Sequence, residues 1–334
     1  MSISFQVLGA PGADNAVFAQ VDTGQQVSRL LFDCGEGCLS ALSFADLQAI
    51  DHLFFSHLHM DHVAGFDTFF RANFDRVTRP NQIWGPPETA RILQHRFQGY
   101  TWNLHGSMDA AWRVHDLHPG HVGTTRFELR EAFSQWHDEG ERPHAGMILD
   151  GSGFTVEMLT MDHRTPTIAY IVREKQRLNL DTSRMASLGL KPGPWVRLLK
   201  EAATDTGVMV VDGKSFQVGD LRERLFVTTP GESLAYLTDF LLDEAAIGDL
   251  APRLLGVTSI VCEGQYRHED EALARKHHHM TTRLSALLAR EARAGSLVLF
   301  HLSCRYQPTG WLEMLAEART IFPKTRFPDH WNMA

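Results

Sequence analysis

The feature that most limits what this chain can become is Ser56-His57-Leu58-His59-Met60-Asp61-His62, which follows the apolar run His52 to Phe55. Three imidazoles and a carboxylate crowded into a few residues after a strand form a tight loop at the strand's end. Side chains alternate along an extended segment, so His57 and His59 project to one side and suit one cation. Asp61 and His62 turn the other way and suit a second. Imidazole and carboxylate donors favour zinc, with manganese or iron as alternatives.

This His-x-His-x-Asp-His pattern resembles that of the metallo-β-lactamase superfamily. The resemblance implies a four-layer αββα sandwich, an α/β fold of two facing sheets with helices outside and metals at one rim. It also implies three further ligands at strand ends, in the order His, bridging carboxylate, His. The chain offers His163 after the strand Phe154 to Met161, Asp239 after Leu234 to Thr238, and His301 after Leu297 to Phe300. On that pattern His57, His59 and His163 take one ion, Asp61, His62 and His301 the other, and Asp239 bridges. Asp33, at the end of the strand Arg29 to Phe32, is expected to orient a ligating histidine rather than to ligate.

Several blocks narrow the resemblance to the ribonuclease Z family of tRNA 3′-processing endonucleases. Asp33-Cys34-Gly35-Glu36-Gly37 is similar to the family's Asp-Cys-Gly-Glu-Gly, and His301-Leu302-Ser303-Cys304-Arg305-Tyr306 to its His-x-Ser-x-Arg-Tyr. Glu263 stands where the family has the Glu of a His-Glu-Ala-Thr block, and His279-Met280-Thr281 where it has His-Ser-Thr opening a helix. Gly189-Leu190-Lys191-Pro192-Gly193-Pro194 resembles the Pro-Gly-Pro loop of the arm that clamps tRNA. The chain departs from the family after Gly9, after the metal motif (Gly65-Phe66-Asp67-Thr68-Phe69), and in the Glu block, which reads Cys262-Glu263-Gly264-Gln265.

Charge supports an arm. The 334 residues carry a formal charge of −8, which argues against general nucleic-acid affinity. Yet Arg173 to Glu201 holds seven basic residues against three acidic, +4, leaving −12 for the rest. Read through the resemblance, residues 173–205 form an inserted basic arm in a single domain spanning 1–334. Lys191, Gly193 and Lys200 of that arm, together with Arg305, are its candidate substrate contacts, gripping phosphates without reading sequence. Residues 99–150 show no clean period.

No apolar run approaches the roughly 20 residues that span a bilayer, and no secretory signal is visible at Met1 to Phe5. Four cysteines without a framework spacing fit a reducing cytoplasm. The expected activity is metal-dependent phosphodiester hydrolysis, cleaving precursor tRNA on its 3′ side. Asp61 would accept a proton from the attacking water, and His279, oriented by Glu263, would protonate the leaving oxygen. Of the run His277-His278-His279, the helix opening at Thr281 singles out His279. The family resemblance implies a homodimer. The competing class is a small-molecule hydrolase on the same scaffold, acting on a cyclic nucleotide, another small phosphodiester, or an aryl ester or sulfate.

Overall fold

In a computed structural model, which describes residues 3–202 and 204–333, apolar strands alternate with helices along most of the chain. Met1, Ser2, Ala203 and Ala334 lie outside the described residues; Ala203 falls within the expected arm. The first strands are β1 (Ile3–Leu8), β2 (Ala16–Asp22) and β3 (Val27–Phe32), followed by α1 (Phe44–Gln48) and β4 (His52–Phe54). Then come α2 (Met60–Val63), α3 (Phe66–Asn73), β5 (Asn81–Gly85) and α4 (Thr89–Phe97). The segment without a readable period forms β6 (Ala111–His118), β7 (His121–Glu128), β8 (His137–Pro143) and β9 (Met147–Asp150). β10 (Phe154–Asp162) and β11 (Pro166–Glu174) follow.

The chain divides into two compact units, residues 1–173 with 232–334, and residues 174–231. The second unit contains β12 (Arg177–Leu180), α5 (Thr182–Ser187), α6 (Pro194–Glu201), β13 (Val208–Val211), β14 (Lys214–Gln217), α7 (Val218–Leu225) and β15 (Phe226–Thr229). β12 pairs with β15, β13 with β14, and Met185, Leu190, Leu199, Leu221 and Leu225 share a small core. The expected arm, 173–205, stopped short of this unit's end. A boundary at 205 would strip Leu221 and Leu225 of α7 from the apolar cluster that holds Leu199 in place.

The first unit resumes with β16 (Ser233–Leu237), α8 (Glu244–Arg253), β17 (Ser259–Glu263), α9 (Glu271–His277), α10 (Thr282–Glu291), β18 (Ser296–Phe300), α11 (Pro308–Ile321) and β19 (Thr325–Arg326). Its strands make an eight-stranded sheet in sequential order β1 to β8 and a seven-stranded sheet ordered β19-β18-β17-β16-β11-β10-β9. One cluster of buried side chains draws on both sheets, and a second joins the first sheet to α1, α3 and α4. This is the four-layer sandwich that the resemblance implies, with sheets face to face and helices outside.

Aromatic rings fill the space between the sheets. Phe32, Phe54, Tyr170 and Tyr236 lie with ring centroids 5.1–5.7 Å apart, and all four are fully buried or within 1% of it. Truncating one of these Phe rings to Ala costs on the order of 3–5 kcal/mol. Direction matters more than composition for the site. β3, β4 and β5 run parallel, as do β16, β17 and β18, so the loops leaving these strands emerge at shared edges.

Candidate metal centre

Three strands end in a residue whose backbone enters the left-handed region. Asp33 follows β3 with φ 57°, Asp239 follows β16 by two residues with φ 50°, and His301 follows β18 with φ 52°. Such a conformation costs a side chain with a Cβ on the order of 1–3 kcal/mol and persists where the surroundings enforce it. Here it turns each chain sharply at the sheet edge. Gly35 and Gly65 permit the next step. A Cβ on Gly35 would collide with the Asp61 carbonyl, and one on Gly65 with the Gly35 carbonyl. The Asp33–Gly37 loop therefore lies directly against the histidine loop, where Cys34 N donates to the His62 carbonyl at 2.9 Å.

All seven expected ligands converge. Donor atoms of His57, His59 and His163 fall within 4.8 Å of one another, and those of Asp61, His62, Asp239 and His301 do the same. Asp239 stands between the groups, its Oδ2 3.4 Å from His57 Nε2 and 2.8 Å from His62 Nε2. Asp61 Oδ2 lies 3.5 Å from His62 Nε2 and 3.6 Å from His301 Nε2.

The donor set fits a pair of divalent cations. His57 and His62 are buried, yet their Nε2 atoms have no hydrogen-bond partner; the 2.8 Å approach of Asp239 to His62 lacks hydrogen-bond geometry. Leaving a buried polar nitrogen unsatisfied costs about 1–3 kcal/mol, and a cation removes that cost. Burial, reinforced by the neighbouring His62, holds the His57 pKa well below its ordinary value, so its ring is neutral and free to ligate. For Asp239, burial alone would raise the pKa, but the charges of His301 and His62 hold it well below the usual carboxylate range.

Other side chains fix these rings. Asp33, fully buried, accepts from Ser56 N at 2.7 Å, Ser56 Oγ at 2.6 Å, His62 Nδ1 at 2.8 Å and the Tyr236 hydroxyl at 2.6 Å. Ser56 Oγ in turn sits 3.1 Å from His57 Nδ1. Asn15, in the loop that departs from the family pattern, accepts from His301 N through Oδ1 and donates to the carbonyls of Leu8 and Ala10. Sequence reading passed over Ser56, Asn15 and Tyr236. A polar residue with a hydrogen-bonding tip on an otherwise apolar strand, as Tyr236 is, was the available signal.

The run His277-His278-His279 divides its labour. His278, at φ 55°, offers its carbonyl to His163 Nδ1 at 2.8 Å. His279 Nδ1 lies 2.9 Å from Glu263 Oε1, and Glu263 also accepts from Asp239 N at 2.6 Å. Burial would depress the His279 pKa, but the Glu263 carboxylate hydrogen-bonded to it and the nearby Asp239 carboxylate push it up to about 10. His277 is exposed.

A cleft of about 400 Å³ opens over the cluster, lined by His59, His163, Arg164, Tyr266, His277 and His279 among others. Arg164, Lys276 and Arg305 are exposed, and no carboxylate pairs with any of them among the described residues. After burial, the charges of Lys276, His279, Arg164 and Arg305 lower the His277 pKa; Arg164 lines the cleft itself and donates to the Lys276 carbonyl. In the other unit, Lys191 and Lys200 are exposed; Gly193 caps α6, and Lys191 N donates to Asp212.

A β-lactamase superfamily domain model matches residues 28–176. Ribonuclease Z of Deinococcus radiodurans is 47% identical over 98% of both chains, and ribonuclease Z of Brevibacillus brevis is 30% identical over 90% of this chain and 84% of that one. Among solved structures, the short form of human tRNase Z superposes with a TM-score of 0.54 at 18% identity, covering 91% of this chain and 94% of that one. The metallo-β-lactamase fold protein YhfI of Bacillus subtilis gives 0.57 at 17%, covering 98% and 96%; at these identities the likeness is one of fold.

Proposed function

The chain belongs to the ribonuclease Z family of metal-dependent endoribonucleases, and from that premise we propose that it cleaves precursor tRNA on the 3′ side. The observation that carries this reading is the joining of the seven-ligand cluster to the His279–Glu263 pair at one cleft. Zinc is the proposed metal, since five imidazoles and a shared carboxylate lie among the donors. Divalent ions, when bound, supply an activated water and positive charge against the phosphate.

The chain's own groups then do the remaining work. Asp61, the most exposed of the carboxylates in the cluster with 45% of its side chain accessible, is placed to take the proton of the attacking water. His279 has Nδ1 engaged by Glu263, which leaves Nε2–H to meet the departing 3′-oxygen. Glu263 keeps that imidazole oriented and charged. Arg164, Lys276 and Arg305 supply cations for phosphates flanking the scissile one, although the chain as a whole is acidic.

Lys191, Gly193 and Lys200 in the second unit hold the tRNA body through its backbone, with Gly193 leaving room for close approach of a phosphate. Family membership supports a homodimer. The four cysteines, all free, suit a reducing cytoplasm, where tRNA is made.

The test is mapped cleavage of a precursor tRNA by the zinc-loaded protein, beside a bis-aryl phosphate. The proposal expects a new 3′ end adjoining the acceptor stem, with cleavage falling steeply as salt rises. The double variant Lys191→Glu, Lys200→Glu should raise KM for tRNA and leave aryl phosphate hydrolysis unchanged. Hydrolysis of the aryl substrate or a cyclic nucleotide, with the tRNA untouched, would instead make this a small-molecule phosphodiesterase.

A further inference from the structure

Every buried histidine of the cluster needs its Nδ1 held if Nε2 is to face a cation. For three of them the holder is an oxygen: Ser56 Oγ for His57, Asp33 Oδ2 for His62, and the His278 carbonyl for His163. An oxygen there accepts Nδ1–H and thereby selects the tautomer whose Nε2 carries the free lone pair. His301 is different. Its Nδ1 faces the side-chain amide of Gln265, whose Nε2 lies 3.2 Å away.

Gln265 is well placed to hold this ring. Its backbone carbonyl accepts from Ser303 N at 3.3 Å, so it is tied to the same loop as His301. The preceding Gly264 N donates to the Phe300 carbonyl at 2.9 Å, locking the two strand ends together. A carboxamide presents a donor on one end and an acceptor of nearly identical shape on the other, and a half-turn exchanges them. The other atom near His301 Nδ1 is Asp239 Oδ1 at 3.4 Å, but that oxygen already accepts from Thr238 Oγ1 at 3.0 Å.

We infer that Gln265 is a positioning residue for His301: with metal bound, its Oε1 accepts Nδ1–H and directs Nε2 to the ion shared with Asp61 and His62. The inference rests on reading His301 as a ligand, and it concerns a position where this chain departs from the family's Glu block. The amide thus does for His301 what Asp33 does for His62, without adding a charge.

The test uses the full chain, titrating zinc against a competing chelator so that two binding steps are resolved. Gln265→Leu should weaken one step by about 10–100-fold and leave the other unchanged. Gln265→Glu, which can only accept, should restore the weakened step. In the zinc-loaded wild type, nitrogen NMR should show a protected Nδ1–H on His301 that Gln265→Leu loses. Thermal melting of the metal-free variants separates a folding defect from a binding one, and the Glu variant carries the test if Leu misfolds. Wild-type affinities in Gln265→Leu, or a Glu variant that binds as poorly as Leu, would overturn the inference. Because the readout is metal affinity, its failure is distinct from a failure to cleave tRNA.

Discussion

The Tyr236 hydroxyl, on the middle strand of one sheet, donates at 2.6 Å to the Asp33 carboxylate at the end of a strand in the other. Residues 203 apart in sequence thus meet beneath the metal cluster, and the bond helps aim a charge that also fixes His62 and Ser56. Both partners are buried, so the bond is charge-assisted and shielded from water.

Tyr236→Phe should therefore cost about 1.5–3 kcal/mol of stability, the range for a hydrogen bond to a charged group. Urea unfolding of the metal-free protein measures this. A loss of under about 0.5 kcal/mol would mean that the other three donors to Asp33 suffice.

The His279–Glu263 pair makes a prediction about leaving groups. A 3′-oxygen needs a proton as it departs, whereas an aryl oxide does not. His279→Ala should slow RNA cleavage by about 10²–10⁴-fold, the usual contribution of a positioned acid, and barely change hydrolysis of a bis-aryl phosphate. Equal losses on both substrates would assign His279 to the metal site instead.

Much of this centre was legible because its ligands end apolar strands, where a polar residue breaks a hydrophobic run. His163, Asp239 and His301 each follow such a run, and the family resemblance supplied the order in which to seek them. The 99–150 segment was not legible in this way, and β8 shows why. His137–Pro143 contains no apolar residue to betray a face, and it is a strand only by backbone pairing with β7. The stretch Leu39 to Ile50 divides into a short 3₁₀ turn and α1, because Ser43 and Asp46 form a capping box that starts a new helix. Charge marks a basic stretch of sequence that ends near Glu201, whereas apolar packing by α7 is part of what bounds the compact unit 174–231 in space.

Acid should weaken the fold through two histidines far from the metals. Trp84 donates to His52 Nδ1 at 3.1 Å and stacks on His115 at 3.8 Å, and His115 is held by Thr124 and Gln82. Burial pushes His52 down to about 4 and His115 down to about 3, from an ordinary value of 6.5. Both folded values lie below the unfolded one, so the unfolded chain binds more protons in that window. Their contribution is complete above pH 6.5 and is lost as pH falls toward the folded values. Between pH 6.5 and about pH 5 the loss is roughly 2 kcal/mol per histidine. Unfolding at pH 7 and pH 5 should show it, and the double variant His52→Gln, His115→Gln should flatten the difference. An unchanged pH dependence in that variant would place the sensitivity elsewhere.

Metal removal should destabilise the folded chain, since ions that bind only the native cluster add free energy by mass action. At free zinc a hundredfold above its dissociation constant the gain is about 2.7 kcal/mol for each site. Melting with and without a chelator tests this, and identical midpoints would show that no zinc was bound.

The most direct measurement is the number of metal ions per chain, by elemental analysis of protein purified with zinc and freed of loose metal. Two ions are expected in the wild type, and about one in each of His163→Ala and His301→Ala, which remove a ligand from opposite halves of the cluster. A wild-type chain without metal, or variants that keep both ions, would contradict the convergence of these seven side chains on a pair of cations.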